Sequence, residues 1–319
     1  KAVADAKAAD TPEKRRGVGI AWGGFNVTEG GGDSAEVALE LMPGNKIRKY
    51  DTWHAMGQGA TTGSLVVTLE ALKEMHLTPE DIQLIQNDTK TCPDTGMAGA
   101  SRSLYMDGNA TIIAANKLLA AMRKEDGTLR TYDEMKAEGI ETKYLGRYET
   151  NTTPGLCRLD PNTGIGDPTP AFTYCLNLAE VEVDTKTGKT TVLKFTCVDF
   201  VGRIGNIDAV NGQAYSGIMH GIGFALKEDY ADVKKHANMF GAGTSYIKDV
   251  PDDINLIHID GAISDGPFGS SGASEAFQAS GHCAVLNGIY NACGVRIHEI
   301  PALPEKVKAG LDAIAKGEK

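Results

Sequence analysis

Over residues 177–183 the side chains alternate between apolar and polar, and residues 190–198 repeat the alternation after a reversal at Asp184-Thr185-Lys186-Thr187-Gly188. A period of two around a glycine-closed turn marks an antiparallel hairpin, so the chain must build a sheet with one buried face. Helical spacing appears elsewhere. Leu65, Val66, Leu69, Leu72 and Met75 share one stripe of 61–75, and Ile112, Ile113, Leu118, Leu119 and Met122 share one of 101–122. Further helices are expected over 211–230, 275–293 and 303–315, and strands over 17–26, 36–41, 46–53, 82–85 and 255–259. Thr78-Pro79-Glu80 reads as a helix start, with an N-cap, a first-position proline and a first-turn acid.

Residues 124–143 are charged and read as a surface excursion with a short helix. The stretch 151–169, rich in Pro, Gly and Thr, reads as a long ordered loop, a kind that often carries function. Strands and helices do not alternate strictly, and no repeat or flexible linker interrupts them. The expected fold class is α+β, with mixed sheets and packed helices. Residues 17–319 form one compact unit, compatible with two intimately packed lobes, after an extension or linker over 1–16.

The 32 basic and 42 acidic residues leave a net charge of −10. That argues against nucleic acid as a partner, because phosphate binding needs a basic face. No apolar run is long enough to span a membrane, and residues 1–16 lack the apolar region of a secretory signal. The first residue is Lys1, which reads as processing, trimming or a piece of a longer chain. Cys92, Cys157, Cys175, Cys197, Cys283 and Cys293 are scattered without a C-x-x-C pair. They read as free thiols in a reducing cytoplasm rather than as disulfides, a zinc site or iron–sulfur ligands.

Four glycine- and serine-rich segments run into helices and exceed what turns alone require. In Met56-Gly57-Gln58-Gly59, glycines let the backbone approach a ligand, although any strand-to-helix turn also needs glycine. In Gly96–Ser103, Ser101 and Ser103 offer hydroxyls, and Arg102 either neutralises a phosphate or pairs with a neighbouring acid. The run 211–217, continued by Gly221-Ile222-Gly223, places glycines inside a helix at about 1 kcal/mol each. Close packing explains those glycines but not Gln213, whose amide both donates and accepts. Gly269-Ser270-Ser271-Gly272-Ala273-Ser274-Glu275 sets a carboxylate at a helix mouth. There the helix dipole favours its charged form and burial the neutral one. Taken alone, this is equally a serine-rich helix start with a first-turn acid.

His54 is a candidate cofactor contact but is better read as a strand histidine, and His220, His258, His282 and His298 share no ligand spacing. No G-x-S-x-G elbow and no complete phosphate-binding P-loop occur.

Together and in order, these segments resemble the xanthine oxidase family of molybdenum hydroxylases, and bacterial aldehyde oxidoreductases in particular. The run 275–307 carries Asn291-Ala292-Cys293-Gly294-Val295-Arg296-Ile297 and Pro301-Ala302-Leu303-Pro304-Glu305-Lys306-Val307, and it looks like that family's C-terminus. The resemblance extends from about residue 15 to 307 and covers the second half of the family's molybdenum-binding region. It implies a molybdopterin cofactor with molybdenum, in the cytosine dinucleotide form of bacterial relatives, and no protein side chain bound directly to the metal.

The resemblance further implies Glu275 as catalytic base and Gln213 as a cofactor contact beside the metal. It implies Gly57, Gln58, Gly59, Ser101, Arg102, Ser103, Ser271, Gly272, Ala273 and Ser274 as cofactor-binding residues. Gly99 and Ala100 line both cofactor and substrate. Many members carry glycine where this chain has Ser274. The implied activity is oxidation of an aldehyde to a carboxylic acid with water-derived oxygen, with electrons leaving to [2Fe–2S] clusters on a partner chain or domain. A partner would also supply the first half of the molybdenum-binding region. Two alternatives are an N-heterocycle hydroxylase of purine or nicotinate type, and a non-catalytic cofactor-binding scaffold.

Overall fold

The hairpin forms as the alternation requires. Strands β6 (Ala171–Asp184) and β7 (Thr190–Phe200) pair antiparallel, with one register shift between Glu180 and Val181. Every second residue of β6 from Ala171 to Val183 is buried, so one face meets the core. At the turn, the Asp184 carboxylate accepts from the amides of Lys186 and Thr187 at 3.0 and 2.9 Å. The Thr187 amide, the larger influence, helps hold that carboxyl below its usual range. Strand β1 (Lys14–Val27) pairs along the whole of β6, and β8 (Asp253–His258) runs parallel to β7, giving the order β1-β6-β7-β8.

The second sheet has the order β4-β3-β2-β5, built from β2 (Ser34–Met42), β3 (Lys46–Asp51), β4 (Ile82–Gln86) and β5 (Lys143–Glu149). It too is mixed, since β3 and β4 are parallel and the other pairs antiparallel. The computed structural model describes residues 1–28, 32–86, 88–150 and 159–317. The first part of the loop expected over 151–169, with Cys157, lies outside them. No described helix is long and apolar enough to cross a membrane.

Helices α5 (Ile207–Leu226), α6 (Ser274–Gln278) and α7 (Gly281–Cys293) close the core of the first sheet, around Phe195, Ile218, Phe277 and Val285. Helices α2 (Ala60–Ala71) and α3 (Arg102–Met122) cover the second sheet, around Leu39, Leu41, Ile47 and Leu118. A third cluster, including Val27, Val37, Tyr105 and Ile263, joins residues of both sheets. The other α-helices among the described residues are α1 (Ala2–Ala8), α4 (Tyr132–Ala137) and α8 (Pro304–Ala315).

The structure departs from the sequence expectations where tertiary contacts decide. β1 begins at Lys14, three residues before the expected Gly17. Just upstream, the Lys7 ammonium of α1 donates to the carbonyls of Asn291 and Ala292 at 2.6 and 3.1 Å. The helix expected over 275–293 breaks between α6 and α7 at Ser280, whose backbone leaves helical geometry and whose hydroxyl accepts from the buried Asn177 amide at 2.9 Å. The stripe over 61–75 ends at Ala71 and finishes in a 3₁₀ turn, Lys73–Met75. The start at Thr78 opens only a 3₁₀ turn, Pro79–Asp81. Helix α5 starts at Ile207, four residues earlier than expected, because Asn206 caps it by accepting from the Ala209 amide at 3.0 Å.

Candidate functional site

All four glycine-rich segments meet at one cavity of about 560 Å³. Its walls are the loop before α2 with Gln58 and Gly59, the turn opening α3 with Gly99, Ser101 and Ser103, α5 with Gln213, and the loop running into α6 with Ser271–Glu275. Three of the segments lie where backbone enters a helix and bring small side chains to the cavity, whereas Gln213 projects from within α5. Apolar groups fill the intervals, among them Trp53, Val67, Leu104, Ile204 and Phe268.

The tightest junction lies between the turn opening α3 and the loop before α6. The Ser101 hydroxyl donates to the Glu275 carboxylate in a short contact, and the Glu275 amide approaches Ser101 Oγ at 3.3 Å. Ala100 and Ser101 both adopt left-handed backbone (φ 50° each), a conformation that costs side chains other than glycine some strain. The Thr28 amide, donating to the Ala100 carbonyl at 3.1 Å, helps hold that turn. Gly272 sits against it so closely that a Cβ would fall 1.7 Å from the Ser101 carbonyl oxygen. Gly272→Ala must therefore push the two segments apart. A loss of about 1–3 kcal/mol of stability is expected from such overpacking, read as a lowered Tm. A variant with wild-type Tm would show that the junction yields freely.

Other sequence candidates take different places. The Gln58 amide knots its own loop: its oxygen accepts from the Met56 amide at 2.6 Å and its nitrogen donates to the His54 carbonyl at 2.6 Å. One amide proton remains for a ligand. Gly57, Ala100 and Arg102 do not border the cavity. Gly57 supplies the left-handed turn behind Gln58 (φ 100°), and Ala100 contributes its carbonyl to the junction. Arg102 is 3% exposed and fully engaged. It grips Asp33 bidentately at 2.7 and 2.8 Å and donates to the carbonyls of Thr95, Met97 and Ser34. Of the two roles open to Arg102, pairing with an acid is the one realised. Its guanidinium braces the turn from behind.

Two features carried little sequence signal. Arg203 borders the cavity, is exposed and has no ion-pair partner among the described residues. It stands four residues before α5, where a cation and free helix amides together suit an anion. Under the cavity floor lies a fully buried ionic network. Lys49 reaches Asp107 at 2.7 Å, Asp51 at 3.3 Å and the Thr111 hydroxyl at 2.8 Å. Asp51 also accepts from the Ser64 hydroxyl and the Gln86 amide, each at 2.7 Å, and from the Trp53 amide at 3.4 Å, tying α2 and the cavity wall to β3. Burial pushes the Asp107 carboxyl up to about 6 despite the ammonium beside it. A lysine and an aspartate two apart on one strand face, opposite an aspartate inside an apolar helix, were the only hint.

The residues present fit a polar-edged heterocyclic ligand. Ser271 is 5% exposed, borders the cavity and leaves its hydroxyl without a partner among the described residues. A buried hydroxyl left unpaired costs about 1–3 kcal/mol, which a ligand's donor or acceptor offsets. Glu275, Ser101 and Gln213 supply further polar groups, and small residues clear the space between them. No three His, Cys, Asp or Glu side chains among the described residues converge as a metal site.

Comparison with known proteins agrees with this geometry. The sequence profile of the molybdopterin cofactor-binding domain matches residues 1–251. The chain is 40% identical over 312 residues to the aldehyde oxidoreductase of Megalodesulfovibrio gigas, covering 98% of this chain and 34% of that protein. The crystal structure of the aldehyde oxidoreductase from Desulfovibrio desulfuricans ATCC 27774 superposes with a TM-score of 0.93 at 42% identity, covering 97% of this chain and 34% of that one. A more distant relative is the 6-hydroxypseudooxynicotine dehydrogenase complex subunit gamma of Paenarthrobacter nicotinovorans, 23% identical, covering 95% of this chain and 41% of that subunit. The chain thus spans about a third of the length of the aldehyde oxidoreductases it matches.

Proposed function

The chain belongs to the molybdopterin cofactor-binding family, and from that premise we propose that it forms one wall of the active site of an aldehyde-oxidising enzyme, with Glu275 as general base. The observation that carries this reading is the Glu275 carboxylate at the cavity wall, fixed by the Ser101 hydroxyl. Molybdopterin, when bound, supplies the redox chemistry. Ser271, Ser103, Gln58 and Gln213 would hold its polar edges, and Gly99, Gly272 and Ala273 would leave room for it. Arg203 and the first turn of α5 would meet the phosphates of a cytosine dinucleotide form.

The work of the chain itself is placement and proton transfer. Ser101 occupies one side of the Glu275 carboxylate, which aims the remaining acceptor positions toward the cavity. From there the carboxylate takes a proton from the water whose oxygen enters the product acid. The apolar wall from Trp53 to Phe268 keeps bulk water away. An aldehyde is favoured over an N-heterocycle because the 40% identical relative is an aldehyde oxidoreductase.

Electrons would leave to iron–sulfur clusters on another domain or chain, which would also bring the remainder of the molybdenum-binding region. The cytoplasm suits the neighbouring unbonded thiols of Cys175 and Cys197. The test is to purify the full-length polypeptide carrying this chain, with its partners, and measure molybdenum, acid-released nucleotide and aldehyde turnover with an artificial acceptor. About one CMP per molybdenum and robust aldehyde oxidation are expected. A preparation free of molybdenum and pterin would overturn the reading.

A further inference from the structure

The first seven residues of α5, 207–213, contain no buried side chain, and burial begins at Ala214. Beyond that point the helix is seated firmly. Gly217 lies against Phe277 and Gly221 against Gly281, where a Cβ would come within 2.4 and 3.0 Å of them. Gln213 stands at the end of this loosely seated first third. That third is capped by Asn206, and Val210 touches the rim of the core. A further side-chain hydrogen bond comes from Asn211, whose Oδ1 meets Nε2 of His258 at 2.8 Å.

His258 closes β8, and its Nδ1 lies 2.8 Å from Oδ2 of Asp199 on the adjoining β7. Asp199 is buried, and its Oδ1 has no partner among the described residues. Burial raises the proton affinity of this carboxyl, and the ring beside it opposes that rise. The ring thus bridges the Asp199 carboxylate and the Asn211 side-chain amide, with one contact at each nitrogen. The buried carboxylate orients the ring, and the ring in turn fixes Asn211.

We propose that Asp199, His258 and Asn211 form a latch between the sheet and the first third of α5, and that His258 is thereby a positioning residue for Gln213 at the cavity wall. A helix turns about 100° per residue, so a modest rotation of this part would swing Gln213 away from the cavity. The link to Gln213 rests on the reading of that residue as a cofactor contact. The latch itself does not.

Asn211→Leu in the full-length, cofactor-loaded protein cuts the link to α5 and leaves the Asp199–His258 pair intact. The amides of 210–213 should then exchange with solvent about 2- to 10-fold faster, the effect of losing one hydrogen bond, while 214–226 stay protected. Molybdenum retained after dialysis should fall. Asn211→Asp keeps an acceptor oxygen and should restore both. Unchanged exchange at 210–213, or acceleration spread equally along 214–226, overturns the latch. Local acceleration with full molybdenum retention overturns the positioning of Gln213. Wild-type protein lacking molybdenum would sink the cofactor reading, and the exchange pattern would still decide the latch.

Discussion

Glu275→Gln lowers kcat by about 10²–10⁴-fold, the span of a well-placed general base, with molybdenum content and Tm close to wild type. Glutamine keeps the size of the side chain and can still accept from the Ser101 hydroxyl, so the junction between the α3 turn and the α6 loop persists. It loses the capacity to take a proton. Were Glu275 only a first-turn acid of α6, its contribution would be about 0.3–1 kcal/mol of stability through the helix dipole, with little effect on rate. The two readings therefore part on turnover at constant occupancy. Measuring kcat alongside molybdenum per protein separates them, and near-normal turnover at full occupancy would remove Glu275 from the chemistry.

How much of this was legible beforehand depends on whether the cause was local. The β6–β7 hairpin was, because its alternation and its Asp184–Gly188 turn are properties of consecutive residues. The four segments around the cavity were also visible, since each gathers more glycine, serine or glutamine than a turn, a cap or a helix interior requires. Strand β5 was not. Its burial follows no clean alternation, and it is placed by Gly146, which lies so near α3 that a Cβ would fall 2.0 Å from the Ala110 carbonyl oxygen. The break at Ser280 was hidden for a related reason. The apolar pattern runs through it, and the partner that stops the helix, Asn177, is about a hundred residues away.

Arg102 shows the limit most plainly. Its neighbours in sequence left a phosphate and a neighbouring acid equally open, and the acid that occupies it, Asp33, lies far off in sequence on the approach to β2. His258 likewise looked solitary because Asp199 and Asn211 are distant in sequence.

The largest stability effect expected away from the catalytic residue is at Lys49. Lys49→Met strands Asp107, which would keep only the Thr111 hydroxyl and already has one oxygen without a partner among the described residues. Asp51 fares better, because Ser64, Gln86 and the Trp53 amide still donate to it. Removing one partner of a buried ion pair costs about 3–5 kcal/mol, so a large drop in Tm is expected. The deficit should depend on pH in a definite sense. In the folded wild type burial lifts Asp107 from 3.8 to about 6. The folded state thus holds a proton that the unfolded state has released. Stability from this group is complete below about 4 and is lost as pH rises through about 6. Without the ammonium, the preference for the neutral acid strengthens, so Lys49→Met should trail wild type further at pH 8 than at pH 5. Adding Asp107→Leu removes the stranded carboxyl and should recover most of the loss. A deficit that is small, or that does not change with pH, would mean that solvent reaches Asp107 and that the network does little to hold α3 and the cavity wall against β3.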